Sequence, residues 1–75
     1  MKYILFTFNN DDLRADFERA LTESGREEEC CKVGDAFGVA VPDDADDAES
    51  VDEVEMMLHS FGFRRGWHYV INTSK

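Results

Sequence analysis

The first third of the chain changes from a continuous apolar run to a helical pattern. Residues 2 to 8, KYILFTF, are rich in β-branched and aromatic types, which is typical of a buried strand. Asn9 or Asn10 then offers an N-cap, and Asp11 and Asp12 suit a first helical turn. Apolar residues recur at helical spacing until Ser24-Gly25, which predicts helix one: Leu13, Phe17, Ala20 and Leu21.

The middle of the chain has the pattern of a hairpin. Two extended runs, 26–33 and 36–41, flank the dipeptide Gly34-Asp35, and a glycine-first pair predicts a type II′ turn. The first run carries Glu27, Glu28 and Glu29, as expected of a protected edge strand. The second run, AFGVAV, is almost wholly apolar and predicts a central strand.

The last third predicts a second helix and a final strand. Pro42 ends the preceding strand, and Ser50-Val51-Asp52-Glu53 has the form of a capping box, so helix two is expected to begin near Ser50. Gly62 suits its C-terminal end, and residues 67–73, WHYVINT, alternate like a strand with one wetter face. The expected buried stripe of helix two is Val51, Val54, Met57, Leu58 and Phe61.

This order of elements predicts an α+β fold for a single domain, residues 1–75. Strand, helix, strand, strand, helix, strand most readily forms the ferredoxin-like βαββαβ sandwich, a four-stranded antiparallel sheet with two helices on one face. The first and third strands are then central, and the second and fourth are edges.

The charge of the chain narrows the choice of partner. Seventeen Asp and Glu against eight Lys and Arg give a net charge of -9, which repels nucleic acid and anionic lipid and favours basic protein surfaces. The apolar start is too short for a signal peptide or a membrane span. Adjacent Cys30 and Cys31 match no disulfide framework, so we expect a protein of the reducing cytoplasm.

The acidic residues are unevenly distributed. On helix one, Arg14 is expected to meet Glu18, and Arg19 to meet Glu23. No Lys or Arg occurs between Lys32 and Arg64, where acids are dense. Acidity is also typical of salt-adapted proteins, but the mixed charges of helix one favour a binding role. The predicted partner-binding residues are Asp43, Asp44, Asp46, Asp47, Glu49, Asp52, Glu53 and Glu55.

Familiar binding sites match the chain poorly. GDAFGVAV echoes the third strand of RNA-recognition motifs, but Val39 stands where a second aromatic residue belongs. Asp44, Asp46 and Glu55 stand at the first, third and twelfth positions of an EF-hand loop. The sixth position, where the loop requires glycine, is Glu49. Neighbouring cysteines on a strand point to opposite faces, so no zinc site is expected.

No catalytic pairing is recognisable, and we expect neither an enzyme nor a cofactor. No nucleophile has a base at a familiar spacing, and the loop after the first strand, NNDD, repels the phosphate that an acylphosphatase-like site requires. An enzyme requires an anion or metal site built from the remaining candidates, His59, His68, Arg64 and Arg65.

In size, charge and compactness, the chain resembles the small acidic inhibitors that phages make against bacterial defence, the anti-CRISPR proteins, some of which mimic DNA. The resemblance rests on no motif. It implies a monomer in the host cytoplasm that occupies a Lys/Arg-lined surface of a CRISPR effector complex and blocks target DNA, with DDADDAE, Asp52, Glu53 and Glu55 at the contact.

A second hypothesis comes from the last strand. WHYVINT is flatter and less charged than the other expected edge, which favours a regulatory or assembly module that dimerises or pairs through this strand.

Overall fold

The computed structural model describes residues 2–73. The elements in chain order are β1 (Lys2–Phe8), α1 (Asp11–Ser24), a 3₁₀ turn (Glu27–Glu29), β2 (Cys31–Val33), β3 (Ala36–Val41), α2 (Asp47–Ser60) and β4 (Tyr69–Thr73). The strands form one sheet in the order β2-β3-β1-β4, and every neighbouring pair is antiparallel. The predicted α+β class, the ferredoxin-like strand order and the central places of the first and third strands are confirmed.

Both helices cover the same face of the sheet. Phe17 of α1 and Leu58 of α2 are fully buried and belong to one core cluster with Phe6 of β1. The Phe6 and Phe17 rings meet edge-on, with centroids 5.5 Å apart. Burial of a large apolar side chain stabilises a fold by about 1.5–3 kcal/mol, so this aromatic cluster holds the layers together.

The ends of α1 agree with the sequence prediction. The Asn10 side chain accepts a hydrogen bond from the Leu13 N–H at 2.9 Å, as an N-cap does. Gly25 has φ +73° at the other end, and the N–H groups of Gly25 and Arg26 donate to the carbonyls of Thr22 and Leu21. This is a Schellman ending, which requires the left-handed conformation that glycine adopts without strain.

Helix α2 begins earlier than the expected capping box at Ser50. Its N-cap is Asp46, whose Oδ1 accepts from the Ala48 N–H at 3.3 Å, and Ser50 lies buried within the helix. The Lys2 ammonium donates to the Ala45 carbonyl at 2.7 Å and so fixes the chain just before the helix. Of the expected stripe, Val54, Met57 and Leu58 are buried, while Val51 and Phe61 are half-buried.

Strand β2 is shorter than predicted, because residues 27–29 form a turn instead of an edge strand. The Thr22 hydroxyl donates to Glu27 at 3.0 Å, and Arg26 pairs with Glu29 at 3.2 Å. These local side-chain bonds hold the segment against the end of α1 and compete with strand pairing. The sheet edge is therefore protected by the shortness of the strand, not by a row of glutamates.

The turn between β2 and β3 agrees with the sequence prediction, whereas the turn before β4 does not. The β2–β3 hairpin has Gly34 at φ +63° followed by Asp35 at negative φ, the signs that type II′ requires. The last strand begins at Tyr69, not at Trp67. Trp67 and His68 belong to a turn, since both their N–H groups donate to the Arg64 carbonyl.

Candidate functional site

The eight predicted binding residues lie on one continuous stretch of surface. Asp43 and Asp44 are in the turn after β3, Asp46 caps α2, and the others occupy its first nine residues. All are exposed except Glu55, which is half-buried. The structure therefore brings the predicted residues together, but it gives them different roles.

The first members of the group have structural roles at the start of α2. Asp46 accepts the capping hydrogen bond, and Asp47 pairs with the Lys2 ammonium at 2.5 Å. Asp47 and Glu49 also lie in the first helical turn, where the helix dipole favours negative charge. The fold thus explains part of the acidity without any partner.

Glu55 is neutralised by a cation from beyond the helix. Arg65 lies 2.8 Å from its carboxylate, and only 18% of the Glu55 side chain is exposed. This ion pair links α2 to the segment that leads into β4. Neither Lys2 nor Arg65 was expected to approach the acidic run, because both partners come from outside the stretch between Lys32 and Arg64.

Three carboxylates of α2 form a separate group, which we call the acidic face: Glu49, Asp52 and Glu53. They are exposed, and none makes an ion pair or hydrogen bond within residues 2–73. Asp52 and Glu53 follow Glu49 by three and four residues, a spacing that places each of their Cβ atoms about 5–6 Å from that of Glu49. Like charges at this spacing destabilise a helix, by about 0.2–0.5 kcal/mol per pair.

The early start of α2 removes the structural explanation for two of these residues. With a capping box at Ser50, Asp52 and Glu53 belong to the first turn and complement the helix dipole. With the observed start at Asp47, they lie in the second turn, where that effect has largely faded. Their negative charge is therefore not accounted for by the stability of the helix.

The ion pairs of α1 form with different partners from those expected. Arg14 lies 3.0 Å from Asp11 and 4.0 Å from Asp35, not beside Glu18. Glu18 pairs with Lys32 of β2 at 2.8 Å. Arg19 pairs with Asp16 at 2.6 Å, three residues away, instead of with Glu23.

The structure places the residues of the EF-hand pattern largely in a helix and the aromatic residue of the RNA-recognition pattern in the core. Residues 47–60 are continuous helix, so no EF-hand loop exists there, and the part of the chain that is described holds no metal-binding group of three His, Cys, Asp or Glu residues. Phe37 is buried beneath the helices, where it stacks against no base. Burial raises the pKa of the half-buried Cys30 thiol to about 11, whereas Cys31 is exposed.

A backbone hydrogen bond of Arg64 and an ion pair of Arg65 hold the turn before β4. The Arg64 N–H donates to Nδ1 of His68 at 2.7 Å, and Arg65 is paired with Glu55. Trp67 stands beside them with 81% of its surface exposed. This arrangement stabilises a turn and assembles no nucleophile with a base.

The fold and the site define a small α+β domain of ferredoxin-like topology, and the acidic face on its second helix makes no ion pair with the described residues. The chain matches no protein-family model, no curated protein and no solved structure. Neither helix within residues 2–73 has the length and apolar character needed to cross a bilayer.

Proposed function

We propose that the chain is an acidic protein-binding inhibitor that occupies a basic, nucleic-acid-binding surface of another protein. The observation that carries the proposal is the acidic face of α2, Glu49, Asp52 and Glu53, whose carboxylates make no ion pair within residues 2–73. Its carboxylates are spaced at a density comparable with the phosphates of a nucleic-acid strand. The proposal gives the protein no catalytic role.

The target proposed in particular is a CRISPR effector complex, so that the chain acts as an anti-CRISPR protein and blocks target DNA binding. A guide-loaded effector holds nucleic acid in a positively charged channel. An acidic helix competes for such a channel through complementary charge, which also speeds association. The resemblance in size and charge to DNA-mimicking inhibitors supports this choice of target.

A pair of matched variants tests the contact surface. Asp52→Lys with Glu53→Lys reverses two charges of the acidic face. Asp12→Lys with Glu23→Lys makes the same change in net charge on α1, at exposed residues that form no ion pair within the described chain. Any difference between the two double variants therefore reports position and not total charge.

The measurement is binding of target duplex by purified, guide-loaded CRISPR effectors in a mobility-shift assay. We expect the wild-type chain to reduce DNA binding, the α2 variant to be at least about tenfold weaker, and the α1 variant to resemble the wild type. Inhibition should weaken as salt rises from about 0.05 M to about 0.2 M, since surface charges are then screened. Equal inhibition by both variants would falsify the acidic face as the contact.

Pairing through the last strand receives less support than its sequence suggested. The strand begins two residues later than predicted, and the Tyr69 carbonyl already accepts the Gly66 N–H at 2.7 Å. The edge available to another strand is therefore shorter, and assembly through this edge stays a prediction.

A further inference from the structure

Within the described strands, no charged residue lies on the face of the sheet that the helices leave open. Strand register and alternation assign ten positions to it. They are Tyr3, Leu5 and Thr7 of β1, Cys31 and Val33 of β2, Ala36, Gly38 and Ala40 of β3, and Val70 and Asn72 of β4. One third of the chain is charged, so the absence of Asp, Glu, Lys and Arg from these ten positions is a pattern that solvation alone does not explain.

The apolar side chains of this open face form a continuous surface. A Cβ built on Gly38 meets Leu5 at 3.0 Å, and Tyr3 and Val33 at 3.4 Å, so these three side chains from two strands converge over the glycine. Tyr3, Val33 and Val70 each keep more than 40% of their surface exposed. The two sheet lysines lie on the opposite side, where Lys2 reaches Asp47 and Lys32 reaches Glu18.

The strand sequences indicate that this face has a cover. KYILFTF and AFGVAV are nearly continuous apolar runs, a pattern typical of strands buried on both faces. The helices cover one face only. A strand with one face in water normally alternates apolar and polar residues.

We propose that the open face of the sheet is the contact surface of a homodimer, in which two copies of this chain pack sheet against sheet. Charge selects the second copy over a basic partner. A basic protein finds no countercharge on this face, whereas two uncharged faces meet without placing like charges in contact.

Sheet-to-sheet packing also keeps the acidic helices apart. The two sheets lie about 10 Å from each other, and each helix layer adds about 10 Å on the outside. The two α2 helices are then about 30 Å apart, several times the Debye length of about 8 Å at physiological ionic strength. The acidic faces of the two copies therefore repel each other only weakly.

The size of the face sets the strength of the dimer. Four strands about 4.8 Å apart and three rows of outward residues span about 400 Å² per copy, or about 800 Å² in total. Stable interfaces bury about 1,200–2,000 Å², so the dimer belongs to the weak, reversible class. For concentrated solutions this proposal differs from the sequence-based expectation of a monomer, which stays a prediction.

The test is the mass of the full chain, measured by sedimentation equilibrium from about 10 µM to about 1 mM. Val33→Lys with Val70→Lys adds two charges to the open face on the two edge strands. Met56→Lys with His59→Lys makes the matched change at exposed residues of α2, on the other side of the molecule. Far-UV circular dichroism and thermal unfolding check that both variants are folded.

We expect the wild type and the α2 variant to rise from 8.6 kDa toward twice that mass, and the sheet variant to associate at least tenfold more weakly. In the wild type, reaction of the exposed Cys31 thiol should slow as the dimer forms. The pKa of about 11 keeps Cys30 protonated near pH 8, so Cys31 supplies this signal.

Two results overturn the dimer: a wild type that stays monomeric to 1 mM, or equal association by all three chains. Salt separates this result from the proposed function. Raising salt should leave sheet-to-sheet association unchanged or strengthen it, whereas it should weaken a complex made through the acidic face. Either proposal can therefore fail while the other holds.

Discussion

The two helices carry the same number of acidic residues but distribute them differently. Each has five, and α1 also contains Arg14 and Arg19, whereas α2 contains no Lys or Arg. On α1, the acids without an ion pair in the described chain are Asp12 and Glu23, at opposite ends and about 16 Å apart along the axis. On α2, the acids without an ion pair are neighbours. The arrangement of charge, more than its amount, distinguishes the two surfaces.

The largest expected effect tests whether the helices also differ in how they support the fold. Phe17→Ala on α1 should lower the free energy of unfolding by about 3–5 kcal/mol, and Leu58→Ala on α2 by about 2–5 kcal/mol. Both side chains are fully buried in the same cluster, so each substitution leaves a cavity in the shared core. Urea unfolding followed by far-UV circular dichroism measures both losses.

Comparable losses mean that the helices are equivalent inside the molecule and differ only on their outer surfaces. Exposed Met56 gives the control, because Met56→Ala removes a large apolar side chain from α2 without opening a cavity. A loss below about 1 kcal/mol for Leu58→Ala contradicts the packing of α2 onto the sheet.

The sequence predicted the fold well where local signals and packing agree. KYILFTF, the Asn10 cap and Gly25 each specify one local conformation. The order of strands and helices then predicts the ferredoxin-like sandwich. The first part of the predicted strand 26–33 was wrong, because residues 27–29 form a turn held by the Thr22–Glu27 and Arg26–Glu29 contacts, whereas Cys31–Val33 is a strand as predicted. Those bonds depend on how α1 ends in space, which strand propensity does not include.

A smaller difference in the free energy of unfolding is expected between the N-caps of the two helices. Asn10→Ala should lower the free energy of unfolding by about 1 kcal/mol, since the Asn10 side chain accepts a hydrogen bond of 2.9 Å. Asp46→Ala should cost about 0.5 kcal/mol, at the low end of the range, because its bond to the Ala48 N–H is 3.3 Å long. Chemical denaturation of the two variants under one set of conditions measures the difference.

A larger loss at Asp46 than at Asn10 contradicts this order. Ser50→Ala provides a further check on where α2 begins. Ser50 lies within the helix, so its replacement should not show the loss of a cap, although the predicted capping box required one.

The sequence located the dense acidic stretch but not the contacts of its residues, and its role in binding stays a prediction. Pairing of Asp47 with Lys2 joins the start of α2 to β1, and pairing of Glu55 with Arg65 depends on the turn before β4. Neither contact follows from local spacing. Because α2 begins at Asp47, Asp52 and Glu53 lie in its second turn, where the helix dipole no longer explains their charge. This distinction could not be predicted from a helix start near Ser50.

The smallest expected effect comes from replacing one carboxylate on each helix, which should change the free energy of unfolding in opposite directions. Asp52→Asn should raise the free energy of unfolding by about 0.5 kcal/mol, because it removes like-charge repulsion with Glu49. Asp16→Asn on α1 should lower it by about 0.3 kcal/mol, because it removes the exposed ion pair with Arg19. Asn and Asp have similar helix propensities, so charge dominates both changes.

Salt provides the control for this pair of variants. At about 1 M salt the Debye length falls to about 3 Å, and both differences from the wild type should shrink toward zero. If Asp52→Asn instead destabilises the chain as much as Asp16→Asn, the Asp52 carboxylate contributes to the fold. In that case Asp52 has a structural explanation after all, and the contrast between the two helices disappears at the residue where it is sharpest.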